Sequence, residues 1–209
     1  MNGRLYRLAR DLHLCLGLFI SPFVLLFAAS VPFLVHARLA NRGQGSARTR
    51  IVADLPLPPN LDQLSGRERI TALEPALRQA GVQGEVGWID YSAQENRLTI
   101  PVTVPGRATT VRIDVAQCEA AIEERDTGLA DALILLHKSP GPHLTAIRMN
   151  WFPMRVWSWF ADATACLLLF ITAGGLYLWY ALRADRRAGL LVLLTGALSF
   201  FGMVYAIVH

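Results

Sequence analysis

Residues Leu14–Val35 form a run of 22 residues without a charge, and Gly189–Val208 a second run of 20. A third, Val156–Leu182, is broken by one charge, Asp162. A helix needs about 20 apolar residues to cross the ~30 Å hydrocarbon core of a bilayer. Backbone groups in lipid find no water, so such a segment has to bond its own N–H and C=O groups, as a helix does. Each run therefore reads as a membrane helix. A composition of 53% hydrophobic and 17% charged residues over 209 positions agrees, and sets the chain apart from ordinary soluble domains of that size.

Arg4, Arg7 and Arg10 precede the first run, as in a secretory signal peptide. The run is longer than the ~7–15 residues of a signal core, and no small-x-small site follows closely, so it reads as an uncleaved anchor. Arg183, Arg186 and Arg187 lie between the second and third runs and share a side with the N-terminus. Arg38, Arg42, Arg48, Arg50, Arg148 and Arg155 lie on the other side, so the positive-inside count is nearly balanced. Short loops are retained more readily than long domains, which puts the N-terminus and the short loop in the cytoplasm. The expected organisation is a basic cytoplasmic N-terminus (1–11), a first membrane helix (12–36), an extracytoplasmic domain with linkers (37–155), a second helix (156–182), a cytoplasmic loop (183–188) and a third helix (189–208). Trp151, Trp157 and Trp159 at one end of the second run, and Tyr177, Trp179 and Tyr180 at the other, match the interfacial preference of amphipathic rings.

The net charge of +4 is concentrated beside the membrane runs, which points to lipid headgroups and away from nucleic acid. Cys15, Cys118 and Cys166 form no CxxC pair, so neither a disulfide framework nor a thiolate metal site is indicated.

Between the first two runs the pattern changes. Residues 37–59, rich in Arg, Gly, Pro and Asn, read as a loop or linker. Ser65 to Gly81 reads as a helix with Ile70, Leu73 and Leu77 on one face, and Pro75 marks a kink or a late start. Leu98, Ile100, Val102 and Val104 then alternate with polar residues, as do Val111, Ile113 and Val115 beyond the turn PGRA, so the two segments form a hairpin. Flanking strands are expected at Glu85–Tyr91 and Cys118–Glu124, and Pro101 suggests an edge position. Asp126–Thr127 offers an N-cap for a short helix, Leu129–His137. The order is helix, three or four antiparallel strands, helix, with one apolar sheet face for a helix to cover. The fold class is thus a three-helix transmembrane bundle with an inserted extracytoplasmic α+β domain. Phosphate loop, dinucleotide fingerprint, GxSxG and HExxH are all missing from the sequence, so it offers no basis for serine or zinc hydrolysis.

Three segments together, RLARDLHLCLGLFISPFVLLFAAS, VRIDVAQCEAAIEERDTG and LILLHKSPG followed by WSWFADATACLLLFITAGGLYLW, resemble the PepSY-associated transmembrane helix family. The family's pattern has an LH-containing segment, an Asp early in the next span and a TG-x-x-LW-like end. Here Ala173 follows Thr172, and the glycine is displaced to Gly174. Larger members have more spans, so this would be a short three-span version with a PepSY-like domain. The resemblance implies a bacterial inner-membrane protein. Some relatives carry membrane haem, pass electrons to ferric chelates and serve iron–siderophore uptake, which would make the chain a component of a ferric-siderophore reductase. Others are structural or regulatory, which leaves open a non-catalytic membrane-anchored module that binds or regulates a partner, or a scaffold subunit of a metal-uptake assembly.

The histidines carry the haem expectation. Imidazole is a common axial ligand of haem iron. His13 lies in the LH segment, His36 ends the first span, His209 ends the third, and His137 and His143 precede the second. His36 and His209 are the expected pair on the extracytoplasmic side, with His137 in reserve. His13 and His36 are 23 positions apart, roughly 34 Å along a helix, so they would serve separate sites. His13 would need a non-histidine partner or a second chain, hence a homodimer or an uptake-complex partner. A histidine at a span end is also an inexpensive interfacial residue without any such role. Asp162, the one acid within a span, is a candidate for a proton-linked or supporting role, or for a plain helix–helix hydrogen bond. Gly174–Gly175 and Gly196 read as close-packing sites.

Overall fold

The computed structural model describes residues 3–36, 38, 45–92, 94–139, 141, 146–182 and 186–208. Its elements are α1 (Gly3–Val35), β1 (Arg48–Val52), α2 (Gly66–Gln79), β2 (Glu85–Val86), β3 (Asp90–Ser92), β4 (Arg97–Val104), β5 (Arg107–Asp114), β6 (Glu119–Asp126), α3 (Gly128–Lys138), α4 (Phe152–Leu182) and α5 (Arg186–Val208). The three apolar runs lie in α1, α4 and α5, each long and apolar enough to cross a membrane. None of the most apolar window of α5 is buried within the chain, a surface that water would not tolerate over this length and that suits association with lipid. The chain falls into two compact units: a helical one of residues 1–22 and 163–209, and a mixed one of residues 23–162.

Pro22 lies inside α1 and has no N–H for the carbonyl of Leu18 four residues back. The Ser21 hydroxyl donates to that carbonyl at 2.9 Å, so the freed acceptor is satisfied within the helix.

The mixed unit carries an antiparallel sheet of order β1-β6-β5-β4-β2, with β3 also paired to β4. The period-2 pattern decides which side chains face inward. Leu98, Ile100 and Val102 on β4 meet Val111 and Ile113 on β5 and Ile122 on β6, all at most 2% exposed. The helix α2 lays Ile70, Leu73, Ala76 and Leu77 over this face, as a one-sided sheet requires. Pro75 is accommodated within α2, which continues through it to Gln79.

Three readings are corrected. Residues 48–52, taken as linker, form β1 on the edge of the sheet, paired with residues 120–124 of β6. A short strand of this kind is defined by a partner some 70 positions away, which local composition does not report. Secondly, Glu85–Tyr91 is two short strands, with Gly87–Ile89 between them. Thirdly, Pro101 is on an interior strand. β4 pairs with β5 on one side, while on the other β2 meets residues 102–103 and β3 meets residues 97–99. Pro101 falls in that gap, where no strand demands its missing N–H, and its carbonyl accepts from Gly87 N–H at 2.9 Å.

The short helix α3 lies where expected. Thr127 is its N-cap residue but makes no side-chain cap bond, and α3 contributes no buried residue to the sheet core. Its C-terminal turn instead contacts the apolar helices of the mixed unit.

Candidate functional site

In the mixed unit, His137 sits in the last turn of α3. Its Nδ1 is 2.5 Å from the Ser30 hydroxyl of α1, and Ser30 is fully buried. Phe27, one turn earlier on α1, meets the imidazole edge-on at 5.4 Å between ring centres. Trp157 of α4 lies 5.9 Å from Phe27 and donates its indole N–H to the carbonyl of Leu136 at 2.9 Å. That carbonyl belongs to the helix end, where acceptors lack intrahelical partners. Three apolar helices thus fix one imidazole: a hydroxyl at Nδ1, an aromatic edge on its ring, and an indole on the adjoining carbonyl. His137 is half-buried, and its Nε2 takes part in no hydrogen bond among the described residues.

In the helical unit, His13 packs against α4. A Cβ on Gly174 would stand 3.5 Å from its Nδ1, and one on Gly175 3.4 Å from its Cε1, so the ring lies against bare α4 backbone. Its Nδ1 is buried without a hydrogen-bond partner among the described residues. A buried polar atom left unpaired costs about 1–3 kcal/mol, and an unoccupied donor or acceptor of this kind calls for an explanation.

The remaining candidates are not gathered by the fold. His36 is exposed just beyond the end of α1, its backbone N–H on the carbonyl of Pro32 at 2.8 Å. His209 and His143 lie outside the described residues, so the expected pairing of His36 with His209 does too. Asp162 is exposed on α4 and makes no hydrogen bond or ion pair among the described residues; the guanidinium of Arg155 lies instead over the ring of Phe152 at 5.7 Å. No cluster of three or more metal-ligating side chains occurs among the described residues.

A second feature, which motif reasoning did not find, joins the sheet to the start of α4. The Asn150 side chain pairs with the edge of β2 as a strand would: its Oδ1 accepts from Val86 N–H at 2.9 Å, and its Nδ2 donates to Val86 C=O at 2.8 Å. Nδ2 also donates to Ile147 C=O at 2.8 Å. In return, the Glu85 carboxylate accepts the backbone N–H groups of Asn150 at 3.2 Å and Trp151 at 2.9 Å. Burial pushes the Glu85 carboxyl above its ordinary range, outweighing the opposing pull of those N–H groups and of the Arg67 charge. Arg67 in turn donates to the carbonyl of Arg148 at 2.8 Å. Beside this latch, Arg67, Ile70, Leu77, Arg78, Val86 and Asn150 help to line a groove of about 430 Å³ between α2 and β2. Its lining combines apolar side chains with charged ones, Arg67, Arg78 and Glu74, the last paired with Arg78 at 2.7 Å.

Comparison of the chain with protein-family models, curated proteins and solved structures gives no match. The functional reading therefore rests on the residues and their geometry.

Proposed function

We propose that the chain is a membrane-anchored haem protein of the PepSY-associated kind, passing electrons to extracytoplasmic ferric complexes such as ferric siderophores. The observation that carries this reading is the seat of His13, an imidazole on an apolar helix set against two glycines, with its Nδ1 buried and unpartnered among the described residues. Nδ1 faces the α4 backbone and has no room for an iron, so Nε2 would be the ligating nitrogen of His13, with the ring's plane set by the two glycines. His137, half-buried with Nε2 open, suits a second such site. When bound, haem supplies a one-electron iron couple whose potential the axial ligand helps to set. The chain's own part is to present imidazole nitrogens, exclude water through the aromatic shell of Phe27 and Trp157, and anchor the sheet domain at the membrane. The reading places the protein in a bacterial inner membrane, N-terminus in the cytoplasm and residues 37–155 outside, with a quinol or a separate protein as electron donor. His36 and His209 remain ligand candidates within it, Asp162 a proton-linked one, and a second copy of the chain a source of the other ligand for His13.

The visible spectrum of the detergent-purified protein, expressed with ample haem, tests this reading. A Soret band with resolved α and β bands on reduction is expected, reduced in intensity by His13→Ala and by His137→Ala. A colourless wild type would end it. Labelling of Cys118 from outside the cell tests the orientation, and labelling confined to a cysteine placed at position 187 inverts it.

The groove favours a second reading: a non-catalytic membrane-anchored module that binds or regulates a partner, or scaffolds a metal-uptake assembly. Thr71→Trp, which fills the groove from the exposed face of α2, separates the two. Haem content and ferric reduction stay unchanged if the first reading holds, while partner association is lost if the second does.

A further inference from the structure

Ser30 is a lone hydroxyl in an otherwise apolar part of α1, fully buried, and it makes two close contacts. Its Oγ lies 2.6 Å from the carbonyl of Phe27 and 2.5 Å from Nδ1 of His137. A carbonyl oxygen can only accept. A hydroxyl has one proton. With that proton directed to Phe27, the Oγ has only lone pairs for the imidazole, so Nδ1 has to carry the hydrogen. In that arrangement the donors run from His137 Nδ1–H to Ser30 Oγ–H to Phe27 C=O. A neutral imidazole with its proton on Nδ1 bears a lone pair on Nε2, the form required of a metal ligand or a proton acceptor. Free histidine favours the other tautomer, so this assignment reverses the intrinsic preference.

We infer that Ser30 is the positioning residue of His137: it selects the Nδ1–H tautomer, fixes the ring's rotation, and presents Nε2 as a lone-pair donor. The use of that lone pair as an axial haem ligand rests on the proposed function; the tautomer does not. A hydroxyl or carbonyl behind a ligating imidazole raises its basicity and holds its plane, so Ser30 acts on any iron only through His137. Trp157 and Phe27 assist by shape. The indole bond to Leu136 C=O holds the adjoining residue, and the Phe27 edge blocks rotation about the Cβ–Cγ bond. Because Ser30 is one small residue inside a helix, its replacement by alanine is expected to leave the helix and the aromatic contacts intact.

The test uses the full chain, labelled with ¹⁵N-histidine, in detergent micelles without haem and in alkaline buffer, where imidazole is neutral. The ring nitrogens of His137 are assigned by their loss in His137→Gln. A protonated-type shift at Nδ1 and an unprotonated-type shift at Nε2 are expected. Ser30→Ala should lose that pattern and move to the Nε2–H form, and Ser30→Thr, which keeps a hydroxyl, should restore it. Unchanged Trp157 fluorescence and helix content confirm that Ser30→Ala is folded; if it is not, the Ser30→Thr and wild-type spectra decide. An Nε2–H signature in the wild type, or an Nδ1–H signature that survives in a folded Ser30→Ala, overturns the inference. Haem titration of the same samples addresses the other claim separately: the Nδ1–H tautomer without any haem uptake keeps Ser30 as positioning residue and removes the haem reading.

Discussion

His137 and His13 are both half-buried imidazoles beside apolar helices, and they are held in opposite ways. The mixed unit surrounds His137 with a hydroxyl, a phenyl edge and an indole-capped carbonyl, so that one ring nitrogen is engaged and the other left open. The helical unit gives His13 no polar partner at Nδ1 among the described residues and sets its ring against the backbone of Gly174 and Gly175. A polar clamp fixes orientation through hydrogen bonds of definite direction. A glycine wall fixes it through available space, and gives the nitrogen no hydrogen bond of definite direction. The same contrast extends to the sheet, where Glu85 and Val86 are joined to Asn150 and Trp151, just before α4, by four hydrogen bonds. Polar specificity is thus concentrated in the mixed unit, and shape complementarity in the helical one.

Asn150→Ala is expected to have the largest effect, because it leaves the N–H and C=O of Val86 without their partner. Val86 is 4% exposed, and each buried group left unpaired costs about 1–3 kcal/mol. Hydrogen exchange of the full chain in micelles should quicken at residues 85–86 and 147–151 and stay unchanged at residues 12–22. Equal acceleration in both regions would break the division into a polar-held and a shape-held unit.

The glycine wall gives the next effect. A Cβ on Gly175 would make ordinary contact with the His13 ring, so Gly175→Ala should be nearly neutral. Gly175→Leu has no such room and should cost about 1–3 kcal/mol, as overpacking does. Thermal unfolding in micelles checks both, and a neutral Gly175→Leu would show that the ring does not depend on the wall.

A smaller effect follows from Glu85. Its carboxyl titrates above the ordinary value of 4.5 in the folded chain because burial disfavours the charge. The folded state therefore holds this proton to a higher pH than the unfolded chain. The resulting stabilisation is complete below the unfolded value and is lost as pH rises through the folded one. Stability of the mixed unit should fall over that window, and Glu85→Gln should flatten the slope. Steeper pH dependence in Glu85→Gln would show that the two backbone N–H groups dominate over burial.

Asp162→Asn should have the smallest effect on stability, within about 0.5 kcal/mol, since the side chain is exposed and unpaired among the described residues. Any change in haem midpoint potential or ferric reduction would then report a functional charge rather than lost packing. Wild-type behaviour of Asp162→Leu in both respects would reduce the residue to a tolerated passenger.

The sequence by itself determined the three long apolar helices, because a run of about 20 residues with at most one charge is long and apolar enough to cross a bilayer and can satisfy its backbone there as a helix. It also determined the hairpin of β4 and β5 and the inward face of α2, since a period of two or of 3.6 is written in adjacent residues. His13 and His137 were likewise visible as residue types beside apolar segments. Tertiary structure alone decided the rest. β1 exists as a strand because β6 lies alongside it, and Pro101 is tolerated on an interior strand because β2 and β3 part at that position. Ser30 looked like one more small residue in an apolar run until α3 brought His137 to it from 107 positions away. Asn150 and Glu85 carry no motif, and their pairing depends on a strand edge that forms only when the sheet does. Hydrogen bonds between distant side chains are set by where the fold places them, and periodicity along the chain contains no record of that placement.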